Sequence, residues 1–136
     1  MDRLLDETRT GPWYLSMPQV AEVVVETLKR GDATHGHYEL HSYVAMPNHV
    51  HLLVTPRVIR GRWLGPLKGF TAHKANKILG RGGSAFWQGE SYDHLVRHNG
   101  EFGRIQGYIE NNPVKAGLAV EAEGFRWSSA YEAARV

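Results

Sequence analysis

YELHSYVAMPNHVHLLVTP, residues 38–56, decides how the rest of the chain must be arranged. Its first half is aromatic and β-branched, Pro47 and Asn48 are turn formers, and the run from His49 to Thr55 is again strand-like until Pro56 stops it. The pattern predicts a β-hairpin with strands over 38–45 and 49–55. Successive strand side chains alternate faces, so Val50, Leu52 and Val54 point into a core. His49 and His51 then project together from the opposite face, about 7 Å apart at the backbone.

On the N-terminal side of the hairpin, Ser16-Met17-Pro18-Gln19 has a capping-box pattern, with Ser16 placed to cap and Pro18 in the first turn. Val20, Val23, Val24, Thr27 and Leu28 recur at helical spacing and Gly31 suits a left-handed cap, which predicts a first helix over 17–30. On the C-terminal side, Leu67, Phe70, Thr71, Lys74 and Ile78 recur at helical intervals and Gly80 follows, predicting a second, basic helix over 64–79. Gly82-Gly83-Ser84 reads as a loop, and residues 85–88 and 92–96 read as strands interrupted at Gly89. Asn99 can cap a third helix with Phe102, Ile105 and Ile109 as its buried stripe, ending near Asn112 because Pro113 disfavours continuation. Gly103 and Gly107 each cost that helix about 1 kcal/mol relative to alanine, so packing must hold it. The tail over 125–131 reads as a segment docking two large aromatics on the core.

With 136 residues and 15.3 kDa the chain is one domain, since two would leave neither an adequate interior. Apolar residues at 42% and charged residues at 22% give an ordinary globular composition with neither repeats nor linkers. The absence of cysteine excludes a disulfide framework, a thiolate zinc site, an iron–sulfur cluster and a cysteine nucleophile, so any metal must be held by nitrogen and oxygen. No apolar run approaches membrane-spanning length and the first residues lack a secretory pattern, which predicts a cytoplasmic protein without a membrane partner.

The formal charge of +2 says little, but its distribution says more. Residues 40–89 contain no Asp or Glu, while Arg57, Arg60, Arg62, Lys68, Lys74, Lys77 and Arg81 place seven cations there. The flanks carry nine basic and fourteen acidic residues, a balance of −5. Such asymmetry suits a phosphate backbone, whose neutralisation releases condensed counterions; the alternative is a solvated basic face that binds nothing.

Two imidazoles on one strand face can converge on one ion, although a lone His-x-His pair is more often structural or merely exposed. A third ligand must come from His, Asp, Glu, Asn or Gln. A mixed nitrogen and oxygen site with open positions suits Mg²⁺ or Mn²⁺ acting as a Lewis acid on a phosphate oxygen, with Zn²⁺ an alternative. Tyr108 and Asn112, four apart on the third helix, share a face about 40° wide, so Asn112 can ligate while Tyr108 attacks. A phenol beside a metal-polarised phosphodiester can form a phosphotyrosine that conserves bond energy for strand joining. Spacing alone does not choose between Tyr108 and Tyr92.

MPNHVHLLV (46–54), WQGESYDHLVR (87–97), YIENNPVKAGL (108–118) and WSSA (127–130) together, in this order, resemble the REP-associated tyrosine transposases of the HUH single-strand endonuclease superfamily. The similarity runs from about residue 4 to residue 131. It implies an α+β fold with a ferredoxin-like antiparallel sheet and helices packed on it. By position it also implies His49, His51 and Asn112 as ligands of a divalent metal and Tyr108 as nucleophile. The implied activity is cleavage and strand transfer of single-stranded, hairpin-forming DNA, leaving a 5′-phosphotyrosine and a free 3′-hydroxyl, by a monomer or homodimer related to mobile-element transposases. Family members usually begin with a further strand, so a chain lacking it is expected to have an exposed sheet edge and reduced stability. The basic residues serve equally a non-catalytic DNA-hairpin-binding protein derived from a transposase, and a phosphodiesterase using water in place of the tyrosine.

Overall fold

Residues 38–56 form the hairpin that their alternation predicts. In the computed structural model, which describes residues 13–87, 92–96 and 102–135, β1 (Tyr38–Met46) and β2 (His49–Pro56) pair antiparallel around Pro47 and Asn48. Neither turn residue adopts a positive φ, so the left-handed tolerance of asparagine is not used. One irregularity controls the packing: the register skips His41 between Leu40 and Ser42. A bulge inserts one residue and so exchanges the two faces of the strand. Even-numbered Tyr38 and Leu40 thereby join odd-numbered Tyr43 and Ala45 in a single hydrophobic cluster.

The helices fall on both sides of the sheet. On one face, α1 (Pro18–Ala33) contributes Val20, Val24 and Leu28, and α2 (Leu64–Leu79) contributes Leu67 and Ala75. These pack on Val50, Leu52 and Val54 of β2. On the other face, Ile105 and Ile109 of α3 (Phe102–Lys115) close a second cluster with Val44, Met46 and Leu53. The α+β class and the helices packed on the sheet follow expectation. The wholly antiparallel sheet does not, because β3 (Tyr92–Val96) runs parallel to β2 in the order β1-β2-β3. The reason is topological: a strand reached through a helical crossover returns in the same direction, and α2 is that crossover.

Local corrections have equally specific causes. Met17, not Ser16, occupies the N-cap of α1, and the Ser16 hydroxyl instead donates to the Trp13 carbonyl at 2.7 Å. Gly31 is no cap but an interior position of α1, where a Cβ would stand 2.1 Å from the Tyr38 hydroxyl oxygen. That phenol donates to the Leu28 carbonyl at 2.7 Å, and only glycine leaves room for it. The buried stripe of α2 is Leu67, Thr71 and Ala75, leaving Phe70 and Ile78 partly exposed. Residues 85–87 form no strand; Phe86 is instead buried and Trp87 donates to Thr71 Oγ1 at 2.9 Å. Pro113 lies inside α3, because it falls in the last turns and is buried with Ile109 and Asn112. The helix closes beyond it where Gly117 takes φ 78° and the Leu118 amide bonds the Pro113 carbonyl at 2.8 Å. Asn99, Gln88, Gly89 and the position of a further N-terminal strand lie outside the described residues.

The tail covers the free edge of β1 and anchors it. Val44 and Ser128 form an antiparallel bridge, the Ala45 amide donates to the Trp127 carbonyl at 2.8 Å, and the Tyr43 amide donates to Ser129 Oγ at 3.0 Å. Farther along, the Leu40 amide donates to Asp32 Oδ2 at 2.8 Å, so the exposed edge expected of a shortened sheet is not found along β1. Ser128 caps α4 (Ser129–Ala134), whose Glu132 pairs with Lys29 of α1 and accepts from the Tyr43 hydroxyl at 3.0 Å. Among the described residues no helix is long and apolar enough to cross a membrane.

Two substitutions check this packing. Gly31→Ala is expected to cost about 1–3 kcal/mol by driving the Tyr38 ring out of its site, measured as a fall in the urea midpoint without change of slope. The hydrogen bond from Lys29 holds the Glu132 carboxyl below its ordinary 4.5, so its stabilisation is complete above that value and is lost as pH falls through the lowered folded value. Glu132→Gln is therefore expected to destabilise by up to about 1 kcal/mol near pH 7, a difference that closes as pH falls through the lowered folded value of Glu132.

Candidate metal centre and nucleophile

The alternation of β2 places His49 opposite Met46 and His51 opposite Val44, on the face covered by α3. Both imidazoles are buried, at 6% and 1% exposure, so neither is a solvated surface group. Their rings meet edge to face, with centroids 4.6 Å apart and planes at 81°, and the two Nε2 atoms approach to 3.1 Å. His49 Nδ1 lies 2.8 Å from Asn48 Oδ1. An amide oxygen only accepts, so this contact is a hydrogen bond when the His49 proton sits on Nδ1, the tautomer that leaves the Nε2 lone pair toward His51.

Two imidazole nitrogens this close could hold a divalent cation. Two adjacent ligands on an octahedral ion with bonds of about 2.0–2.1 Å stand roughly 2.8–3.0 Å apart, and two ligands on a tetrahedral zinc roughly 3.3–3.4 Å apart. The observed 3.1 Å lies between the two. At that distance the nitrogens also share a hydrogen bond, so proton and cation compete for the same lone pair. Among the described residues no group of three His, Cys, Asp or Glu gathers, so a third donor beside the two imidazoles would have to be of another chemistry, such as a neutral amide. Asn112 has that chemistry and is buried at 9% on α3.

Tyr108 stands one helical turn before Asn112. It is half-buried and packs against the cluster formed by Val44, Leu53, Ile105 and Ile109. Lys115 reaches back along the helix with its Nζ 3.4 Å from the phenol oxygen and 5.1 Å from the ring centroid. Tyr108 and Asn112 are thus carried by the helical layer that covers the sheet face from which His49 and His51 project. Sequence reading missed Asn48, taken only as a turn former, and Lys115, whose spacing of seven from Tyr108 is two helical turns and was the available signal.

The seven predicted DNA-contacting cations are not brought to that layer. Arg57 is held by Asp32 at 3.4 Å and by the Tyr38 carbonyl at 2.9 Å. Arg81 donates to Asn76 Oδ1 at 3.1 Å and lies over the Tyr14 ring at 4.7 Å. Both have structural tasks. Arg60 and Arg62 sit in the exposed turn before α2, Lys74 and Lys77 are exposed on α2, and Lys68 is half-buried beside them. Since α2 packs on the opposite face of the sheet, the basic surface and the imidazole pair are separated by the sheet itself.

Titration with Mn²⁺, followed by calorimetry, is expected to give one site that His51→Ala removes and that Asn48→Ala weakens about 10-fold by releasing the His49 ring. Retention of full affinity in both variants is the contrary result. Comparison of the chain with protein-family models, with curated protein sequences and with solved structures gives no match.

Proposed function

We propose that this protein is a metal-dependent enzyme of the HUH type that cleaves and rejoins single-stranded, hairpin-forming DNA through Tyr108. The reading extends the observed α+β architecture to a ferredoxin-like endonuclease fold. The observation that carries it is the pair of buried imidazoles with Nε2 atoms 3.1 Å apart, on the sheet face covered by the helix that carries Tyr108 and Asn112. Two imidazoles buried side by side on a strand beside Val44 and Leu53 support a shared ligand.

In this reading His49, His51 and Asn112 would hold Mg²⁺ or Mn²⁺, which would supply Lewis-acid polarisation of a phosphate oxygen. Asn48 orients His49. The Tyr108 oxygen attacks phosphorus, forming a phosphotyrosine bond as the bond to the 3′ oxygen breaks, and the loss of the phenolic proton is balanced by protonation of the leaving 3′ oxygen to a hydroxyl. Lys115, beside the phenol, offsets negative charge on the tyrosine oxygen and the phosphate. Reversal by an incoming 3′-hydroxyl joins strands without an external energy source. The exposed cations of α2 and its leading turn bind phosphates away from the reacting centre.

The test is a labelled hairpin oligonucleotide with a single-stranded flank, incubated with Mn²⁺ and separated under denaturing conditions. A covalent protein–DNA adduct is expected, lost in Tyr108→Phe and reduced at least about 100-fold in His51→Ala. An adduct that persists in Tyr108→Phe refutes the nucleophile. Cleavage with no attached protein indicates the water-using phosphodiesterase, and salt-sensitive binding without cleavage indicates the non-catalytic hairpin binder.

A further inference from the structure

A cavity of about 470 Å³ opens between the end of α1 and the first turns of α2, on the face of the sheet opposite the imidazole pair. Its aromatic wall is made by Tyr38 and Trp63, which meet edge to face with centroids 4.7 Å apart, and by Phe70, which lines the cavity yet is 44% exposed. Arg30 and the stacked pair His35 and His37, with ring centroids 5.2 Å apart at 19°, add cationic or hydrogen-bonding groups, and no carboxylate lines the space. The first turn of α2 borders it with neither an acidic residue nor a side-chain cap, so the positive end of that helix is not neutralised locally.

We propose that this cavity takes an unpaired nucleobase of a DNA strand, stacked on Phe70, with its phosphate at Arg30, His35 and His37. The volume suits one planar base with its sugar, and an exposed aromatic flanked by cations is the combination that binds bases irrespective of sequence. A strand, as opposed to a free nucleotide, is the occupant because positive charge continues past the cavity. Lys74 stands 5.7 Å from the Phe70 ring centroid, Lys77 lies farther along the same exposed surface, and Arg60 and Arg62 immediately precede Trp63. The proposal rests on the nucleic-acid reading above but not on catalysis, and it separates a base-binding site from the reacting centre by the thickness of the sheet.

The experiment measures binding of the full chain, in EDTA, to a fluorescent oligothymidylate about 12 nucleotides long, to an abasic oligomer of equal length and charge, and to thymidine monophosphate. Phe70→Ala is expected to weaken the oligothymidylate about 10-fold and to leave the abasic oligomer unchanged, while Phe70→Trp retains binding. Arg30→Ala is expected to weaken both oligomers and to lower the salt slope by about 1. Equal effects of Phe70→Ala on the two oligomers, or no effect on either, overturn the base site. Monophosphate binding as tight as the oligomer overturns the strand as occupant, and absence of binding by all three probes overturns the site altogether. Because no metal is present, these results stand whether or not Tyr108 forms an adduct.

Discussion

Alternation along β2 is the constraint from which the rest of the molecule follows. A strand buried on both faces has to offer a complete apolar set to one side, and Val50, Leu52 and Val54 do so against α1 and α2. The remaining positions are then free to differ in chemistry. Leu53 keeps the second face apolar, while His49 and His51 share its end nearest the turn with Met46 and Val44. A slip of one residue in the register would send both imidazoles into the main core and three aliphatic side chains out of it. The imidazole pair is therefore protected by the same packing that stabilises the hairpin.

The second determinant is how the hairpin's open edge is handled. Among the described residues β1 ends the sheet, and its outward amides need partners wherever water does not reach them. Asp32, Ser129 and the Trp127 carbonyl supply them, drawing the end of α1 and the tail onto the same strand. Ser129 also donates to Glu110 of α3 at 2.6 Å, so the tail ties together helices from opposite faces. Burial, with the Glu132 carboxylate next in weight, pushes the Tyr43 phenol up, which keeps it a neutral donor in this junction. The segment that looked like a simple aromatic anchor is thus a clasp made largely of polar contacts.

These arrangements give the two sides of the sheet different tasks in the proposed function. The α3 side holds the groups suited to phosphoryl chemistry, and the α1/α2 side holds positive charge and an aromatic-lined cavity. A nucleic acid engaging both must pass around the sheet, which favours a flexible single strand over a stiff duplex. In the proposed function, such a division of binding from chemistry would keep a dense cationic surface away from a divalent ion at the imidazoles.

Much of this was legible in the chain itself. The hairpin, the extent of α2 and its glycine terminator, the strand over 92–96 and the shared strand face of His49 and His51 depend on spacing and on the local chemistry of proline and glycine, which sequence carries explicitly. What failed was each inference in which a residue's role is set by a distant neighbour. Gly31 looks like a helix terminator until the Tyr38 hydroxyl is seen to need its space, Pro113 looks like a stop until it is found buried beside Ile109, and Phe70 looks like core until α2 rotates to bury Ala75. The His41 bulge and the parallel course of β3 are likewise invisible locally, because pairing register and crossover direction are settled between strands. Period and propensity determined which elements form; only their packing decided which face each side chain meets, since burial is a property of two surfaces and a sequence states one.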